Sequence, residues 1–202
     1  MSVKRNTVIF EKGGEHTEET LRIAMEGAKE RNIETVVIST STGGTGLKAL
    51  EVFKGSGLKL VFVRHQTGYP VKGKQMMPPE VYAKLEKAGK VVTCTDALTG
   101  GVDVGVSRQT PEKTGGLEAG LPFYLPPLNV VIANMLRQFS QGTKVGVEVT
   151  MMAVDCDAVG IDKPVVAVGG SHAGADTAIV VTPAASNRIR DLRVHEILCK
   201  PY

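Results

Sequence analysis

The sequence predicts an α/β fold in which a mostly parallel sheet is covered by helices. Three observations carry this. Short Val/Ile-rich runs alternate with amphipathic helical patterns along the first half of the chain. Aromatic residues make up only 4% of the 202 residues and Trp is absent, so the core is aliphatic, as in sheets buried on both faces. Hydrophobic residues at 42% and charged residues at 22% are ordinary for a globular domain. A chain of this length buries its apolar surface without metals or disulfides. Residues 1–202 therefore read as a single domain with one glycine-rich excursion at 99–125.

The elements follow in order. Thr7-Val-Ile-Phe10 reads as a short buried strand before the turn Glu11-Lys-Gly-Gly14. A helix starts near Thr17, which can cap it, with Glu18 and Glu19 where the helix dipole favours negative charge. Leu21, Ala24, Met25 and Ala28 give that helix one apolar face. Thr35-Val-Val-Ile38 is the second strand, and Leu47, Leu50 and Phe53 mark the next helix. Leu58 to Val63 is a third strand. Pro78 and Pro79 open a helix through Val81, Tyr82 and Leu85 that stops at Gly89. Val91-Val-Thr-Cys94 is a fourth strand. Strands separated by helices of this length form βαβ units, whose loops gather at the carboxyl edge of the sheet, where ligands bind.

Residues 99–125 break the pattern with six glycines, Pro111 and Pro122. A loop of this length in a compact domain is either functional or a surface excursion. Two helices follow. Val131, Met135, Leu136 and Phe139 form the expected core face of the first. Val145, Val149, Met152, Ala153 and Cys156 form that of the second. Pro164 to Gly169 and Ala178 to Thr182 are strands too close in sequence for a helical crossover, so they are expected to be antiparallel neighbours. A last strand covers Leu192 to Cys199.

The net charge of +3, with no stripe of Lys and Arg, argues against a nucleic-acid partner. Cys94, Cys156 and Cys199 have neither zinc nor redox-pair spacing and read as reduced thiols. The apolar stretch near the N-terminus is too short for a signal peptide, and no run approaches a membrane span. These features predict a cytoplasmic protein with no membrane partner; a homo-oligomer is left open.

The most informative stretch runs from strand to helix through Ser39-Thr-Ser-Thr-Gly-Gly-Thr-Gly46. Helix N-termini leave backbone N–H groups unpaired and carry partial positive charge. Gly43, Gly44 and Gly46 allow close approach of an anion, and Thr40, Ser41, Thr42 and Thr45 add hydroxyl donors. Together they make a phosphate cradle. The alternative is a capped, tightly packed β–α turn that binds nothing. The nucleoside-triphosphate P-loop pattern is absent, because Lys48 follows Leu47 rather than a glycine. Gly44-Thr-Gly46-Leu-Lys-Ala49 does satisfy G-x-G-x-x-G/A, but the next strand ends in Arg64-His65 with no carboxylate. Arg64 would suit a 2′-phosphate, which keeps an NADP-linked reductase as a weaker alternative.

A second glycine-rich loop, Gly169-Gly-Ser-His-Ala-Gly-Ala-Asp-Thr177, follows another buried strand. If that strand is parallel to 35–38, Gly169, Gly170, His172, Gly174, Asp176 and Thr177 open on the same edge as the cradle. Otherwise the loop is a hairpin turn held by Gly174 and Asp176. Thr67 and Gly68, beside Tyr69, are a third candidate wall. Glu148 and Asp155 lie seven apart and share a helix face, open either to acid/base work or to a solvated ion pair of Lys144 with Glu148. The four histidines have no metal-ligand spacing, so no metal is expected. Only His65 and His172 fall on candidate ligand loops, where either can contact a ring or act as an acid. No G-x-S-x-G elbow is present.

At Thr40-Ser41-Thr42-Gly43 with Thr45, and at Gly169-Gly170 through Asp176-Thr177, the chain resembles the C-terminal effector domain of pyruvate kinase. Over nearly its whole length it is similar to stand-alone proteins called pyruvate kinase α/β-domain-like. The matching stretches are Phe10 to Leu21, Met77 to Val81, Lys144 to Asp155, and Val165-Val-Ala-Val-Gly-Gly170 followed by Gly174-Ala-Asp-Thr-Ala178. The resemblance implies a three-layer α/β/α sandwich whose five-strand sheet has the order 3-2-1-4-5 with the last strand antiparallel, plus additions at both ends. It also implies bound flavin mononucleotide (FMN), and it brings Glu148 towards the ligand. Pyruvate kinase chemistry itself needs a barrel of about 250 residues, for which this chain has no room. Ser171-His172-Ala173 differs from the effector loop's aromatic or basic contact, which argues against a sugar bisphosphate. The expected function is binding of a phosphorylated small molecule, FMN by resemblance, in a flavin-dependent oxidoreductase or, alternatively, a non-catalytic sensor of a phosphorylated metabolite.

Overall fold

The computed structural model describes residues 7–107 and 126–202. The elements are β1 (Val8–Phe10), α1 (Thr17–Glu30), β2 (Thr35–Ser39), α2 (Gly44–Val52), β3 (Lys59–Arg64), α3 (Pro79–Glu86), β4 (Lys90–Thr93), α4 (Gly101–Ser107), α5 (Leu128–Arg137), α6 (Gln141–Asp155), β5 (Val165–Gly169), β6 (Thr177–Thr182), a 3-10 turn (Ser186–Asp191) and β7 (Arg193–Pro201).

The strands form one mixed sheet in the order β1-β7-β6-β5-β2-β3-β4. β2 is parallel to both β3 and β5, and β4 is parallel to β3. β6 runs antiparallel to β5 and to β7, as the short connections require. This is the α/β class expected, but the full order departs from the five-strand 3-2-1-4-5. The sheet has seven strands, because β7 continues it beyond β6 and β1 adds parallel to β7, pairing Val8 with Cys199 and Phe10 with Pro201.

Successive side chains on a strand point to opposite faces, and both faces of β2, β3, β5 and β6 are buried, whereas Val8 and Ile9 of the edge strand β1, expected to be buried, are exposed. Val36, Ile38, Phe62, Val166 and Val168 join α1, α2 and α3 in one aliphatic core with Leu21, Ala49 and Leu85. Val37, Val61, Val63, Ala167 and Ile179 face the other way, against α5 and α6. Helix α6 crosses this second face and touches β2 through β7. Its approach is close: a Cβ on Gly142 would lie 2.2 Å from Thr177 Oγ1, and one on Gly169 would lie 2.5 Å from the Gly142 carbonyl oxygen.

Three local expectations are corrected. Thr17 is the first helical residue rather than the cap of α1; its hydroxyl accepts from the Ala175 amide at 3.0 Å, tying α1 to the loop before β6. The expected core face of α5 is shifted. Val131, Met135 and Phe139 are exposed, whereas Ala133 is buried with Ile132 and Leu136 packed behind it. The side carrying Leu128, Val131 and Met135 is the most apolar, yet the helix packs through Ile132, Ala133 and Leu136 instead, so periodicity found a stripe that is not the one meeting α6. The excursion at 99–125 begins with α4; its remainder, including Pro111 and Pro122, lies outside the described residues. No helix among the described residues is long and apolar enough to cross a membrane.

Candidate functional site

The parallel pairing of β2 and β5 brings the loops after both strands to one edge of the sheet. β3 and β4 add their own C-terminal loops beside them. Between these loops and α6 lies a cleft of about 890 Å³, within the range of about 300–1,000 Å³ usual for small-molecule sites.

The loop from β2 to α2 forms one wall. The Thr40 amide continues the sheet by donating to the Val63 carbonyl, and the Thr40 hydroxyl accepts from the Gly46 amide at 2.9 Å. Leu47 donates to the Gly43 carbonyl and begins the helical ladder. The amides of residues 41–45 find no protein acceptor among the described residues. Gly43 caps α2 with φ 96°, and a Cβ there would sit 2.2 Å from Val81 Cγ1. It shapes the turn and does not line the cleft. Gly44 faces open space, and Thr40, Ser41, Thr42 and Thr45 line the cleft with it. Lys48, one turn into α2, also faces the cleft and makes no ion pair among the described residues.

The loop from β5 to β6 forms a second wall through Gly170, Ser171, His172, Ala173 and Gly174. Asp176 and Thr177, expected beside the ligand, are turned inward. Asp176 is fully buried; one of its oxygens accepts from the Gly14 amide at 3.0 Å, the Ser171 amide at 3.1 Å and the Ser171 hydroxyl at 2.6 Å, and the other from Thr177 Oγ1 at 2.8 Å. It pins the loop after β1 to the loop after β5. Thr177 continues this network to Ser140, the cap of α6. Gly169 serves the approach of α6, as its 2.5 Å clearance to Gly142 shows. Thr67 and Gly68 also stand off the cleft: Gly68 closes a turn by donating to the Lys74 carbonyl, and Tyr69 takes the lining position.

Helix α6 supplies the floor. Lys144 and Glu148 are 3% and 4% exposed, so the solvated ion pair open to the sequence is instead a buried one. The Lys144 ammonium donates to Glu148 and, at 2.9 Å, to Thr99 Oγ1. The other Glu148 oxygen accepts from the Leu98 and Thr99 amides at 2.8 Å each and from the Thr99 hydroxyl. Burial pushes the Lys144 ammonium below its usual range, and the Glu148 carboxylate opposes that shift. Asp155, seven residues on, accepts from the Ser186 amide and is not part of the cleft.

The loop after β3 meets the loop after β4 at a second polar pair. His65 Nδ1 lies 2.7 Å from an oxygen of the buried Asp96, whose other oxygen accepts from the Gln66 amide. The hydrogen bond to Asp96 raises the His65 pKa above its ordinary value against the opposing effect of burial. Arg64, which donates to Thr93 Oγ1 and stacks over Tyr82, and Arg137, which donates to Gln141 and Asn134, complete the polar lining. Sequence reasoning did not single out Asp96, Thr99 or Arg137, and it named Lys144 only as a solvated partner of Glu148. Only their placement after β4 and on α5 and α6 reveals them.

A comparison with models of known protein families finds no match. Among the described residues, no group of three or more His, Cys, Asp or Glu side chains could hold a metal ion.

Proposed function

We propose that the protein binds a phosphorylated small molecule in this cleft, with the phosphate on the amides of residues 41–45 and FMN as the best-fitting occupant. One observation carries the reading: the backbone amides of residues 41–45, at the start of a helix, find no protein acceptor among the described residues, and Ser41, Thr42, Gly44 and Thr45 line a cleft of ligand size. The hydroxyls of Ser41, Thr42 and Thr45 and the ammonium of Lys48, which has no ion pair among the described residues, reinforce the preference for a dianion. FMN fits the remaining lining. Tyr69, Met76, Val145, Val149 and Met152 offer apolar surface for a flat ring beside polar groups for its edges. When bound, FMN would supply electron transfer, while the residues of this chain bind it, orient it and shield it from water. The strand order lends support: counted from β2, strands β2 to β6 follow 3-2-1-4-5 with an antiparallel fifth strand, although the seven-strand sheet as a whole does not. A cytoplasmic setting belongs to the same proposal and accords with three free thiols.

Thermal unfolding with added FMN tests the reading. A ligand at 100 times its Kd stabilises by about 2.7 kcal/mol, which for a chain of this size raises Tm by about 5–11 °C. The double variant Ser41→Ala/Thr45→Ala should fold normally and lose most of that shift. A protein that is colourless as purified and gains no stability from FMN contradicts the choice of ligand.

A further inference from the structure

We propose that the cleft is catalytic and removes a proton from the carbon next to the carbonyl of a small phosphorylated ketone or aldehyde, with His65 as the base. This rests on the reading that the cleft holds a phosphate, and places the phosphate of a small ketone or aldehyde there in place of that of FMN.

The residues needed stand on one wall. His65 follows β3 and Asp96 follows the adjacent parallel strand β4, so the pairing of the strands sets the 2.7 Å contact between them. Asp96 is buried and held on both oxygens, one by His65 and one by the Gln66 amide. It therefore orients the ring and accepts the Nδ1 hydrogen, leaving the lone pair on Nε2. Nε2 has no partner among the described residues, and the ring lines the cleft with its side chain 35% exposed. A histidine that only braced a loop would not need its second nitrogen free in a ligand-sized cleft.

An electrophile stands in the same cleft, which Lys144 and Glu148 line together with His65 and Asp96. An ammonium has three donors, and Lys144 commits two of them, to Glu148 and Thr99 Oγ1. The third is left for an oxygen in the cleft. Burying such a pair brings little stability by itself, but it fixes a positive charge on the wall of the cleft.

The step balances without a co-reactant. The Cα–H bond breaks and its proton goes to Nε2. The electron pair forms the C=C bond of an enolate, whose oxygen faces the Lys144 ammonium. Return of the proton to the same carbon gives back the substrate, and return to the neighbouring carbon, with movement of the hydroxyl proton, gives the carbonyl isomer. Among the described residues, Asp96 and Tyr69 touch His65, and Glu148 and Lys144 line the same cleft. The Asp96 hydrogen bond makes the ring a stronger base than a free imidazole.

Hydrogen exchange into D2O tests this directly. The full chain is incubated with dihydroxyacetone phosphate, glyceraldehyde 3-phosphate, ribulose 5-phosphate and fructose 6-phosphate, and loss of the α C–H signal is followed by proton NMR. Thermal stabilisation by each compound and by inorganic phosphate is measured in parallel. At least one compound should exchange faster than in buffer. His65→Gln should slow that exchange about 10²–10⁴-fold without changing thermal stabilisation by phosphate. Asp96→Asn, a positioning variant, should slow it less and move the rising limb of the pH–rate profile to lower pH. His65→Gln keeps the test decisive if Asp96→Asn fails to fold. Compounds that stabilise the protein but never exchange, or undiminished exchange in His65→Gln, overturn the catalytic proposal and leave the binding site standing. If neither the compounds nor phosphate stabilises the protein, the catalytic proposal falls, while FMN binding is decided by its own thermal titration.

Discussion

Replacing Asp176 with Ala should destabilise the protein severely, whereas Asn at the same position should be tolerated far better. Asp176 is fully buried and accepts four hydrogen bonds: from the Gly14 amide, the Ser171 amide, the Ser171 hydroxyl and Thr177 Oγ1. Each buried donor left without an acceptor costs about 1–3 kcal/mol. The two hydroxyls can rotate to other partners, but the amides of Gly14 and Ser171 cannot. The expected loss for Ala is therefore about 3–5 kcal/mol, a large part of the roughly 5–15 kcal/mol that holds a domain together. Asn can keep its carbonyl oxygen towards Gly14 and Ser171 and turn its amide to Thr177 Oγ1, which is able to accept. Its loss should be about 1–2 kcal/mol, from the weaker acceptor alone. Urea unfolding of the three proteins measures both values, provided the m-values agree. A cost for Ala below about 1 kcal/mol, or equal costs for Ala and Asn, would refute the inward, anchoring role of this carboxylate.

Two further outcomes follow from the same geometry. Gly43→Ala should lose stability, because the residue has φ 96° and its Cβ would meet Val81 at 2.2 Å, while Gly44→Ala, with nothing within 4 Å, should keep stability and weaken phosphate binding; paired urea and ligand titrations separate the two. The raised pKa of His65 sets the sign of a pH effect. The folded state favours the imidazolium, so its stabilising contribution is complete below the unfolded value near 6.5 and fades as pH rises through the folded pKa. The stability gap between wild type and His65→Gln should therefore be wider at pH 5.5 than at pH 8.5 in urea unfolding; a constant gap contradicts the Asp96 contact.

Much of the architecture was legible in the sequence because the local signals agreed. Val36-Val-Ile38 and Val165 to Val168 are runs that only a doubly covered sheet accommodates, and Pro79 and Gly89 bracket α3 as helix punctuation predicts. What failed was phase and partnership. Leu128-Asn-Val-Val-Ile-Ala-Asn-Met-Leu-Arg137 leaves Leu128, Val131 and Met135 of its apolar stripe exposed, so spacing pointed to a side that does not meet α6. The edge position of β1 depends on a parallel pairing with a strand about 190 residues away, which no local pattern encodes.

The site was legible in the same uneven way. The cradle at 40–45 could be read because strand, glycines, hydroxyls and helix are contiguous. Lys144 and Glu148 could not be read as buried, since a Lys–Glu pair four apart is also the commonest exposed helix pair. Their burial comes from Leu98 and Thr99 closing over Glu148. Asp96 gave no signal at all until β3 and β4 aligned it with His65. Asp176 misled for the opposite reason: it sits in a glycine-rich loop at the correct edge, yet its carboxylate points into the protein.

The central claim is that the amides at the start of α2 hold a phosphate, and amide NMR reads them one by one. Titration of ¹⁵N-labelled protein with FMN should give saturable downfield shifts at Gly44 and Thr45, larger than at any residue outside the cleft. Saturable binding with those two amides unmoved, or no shift at any amide between 41 and 45, would contradict the account.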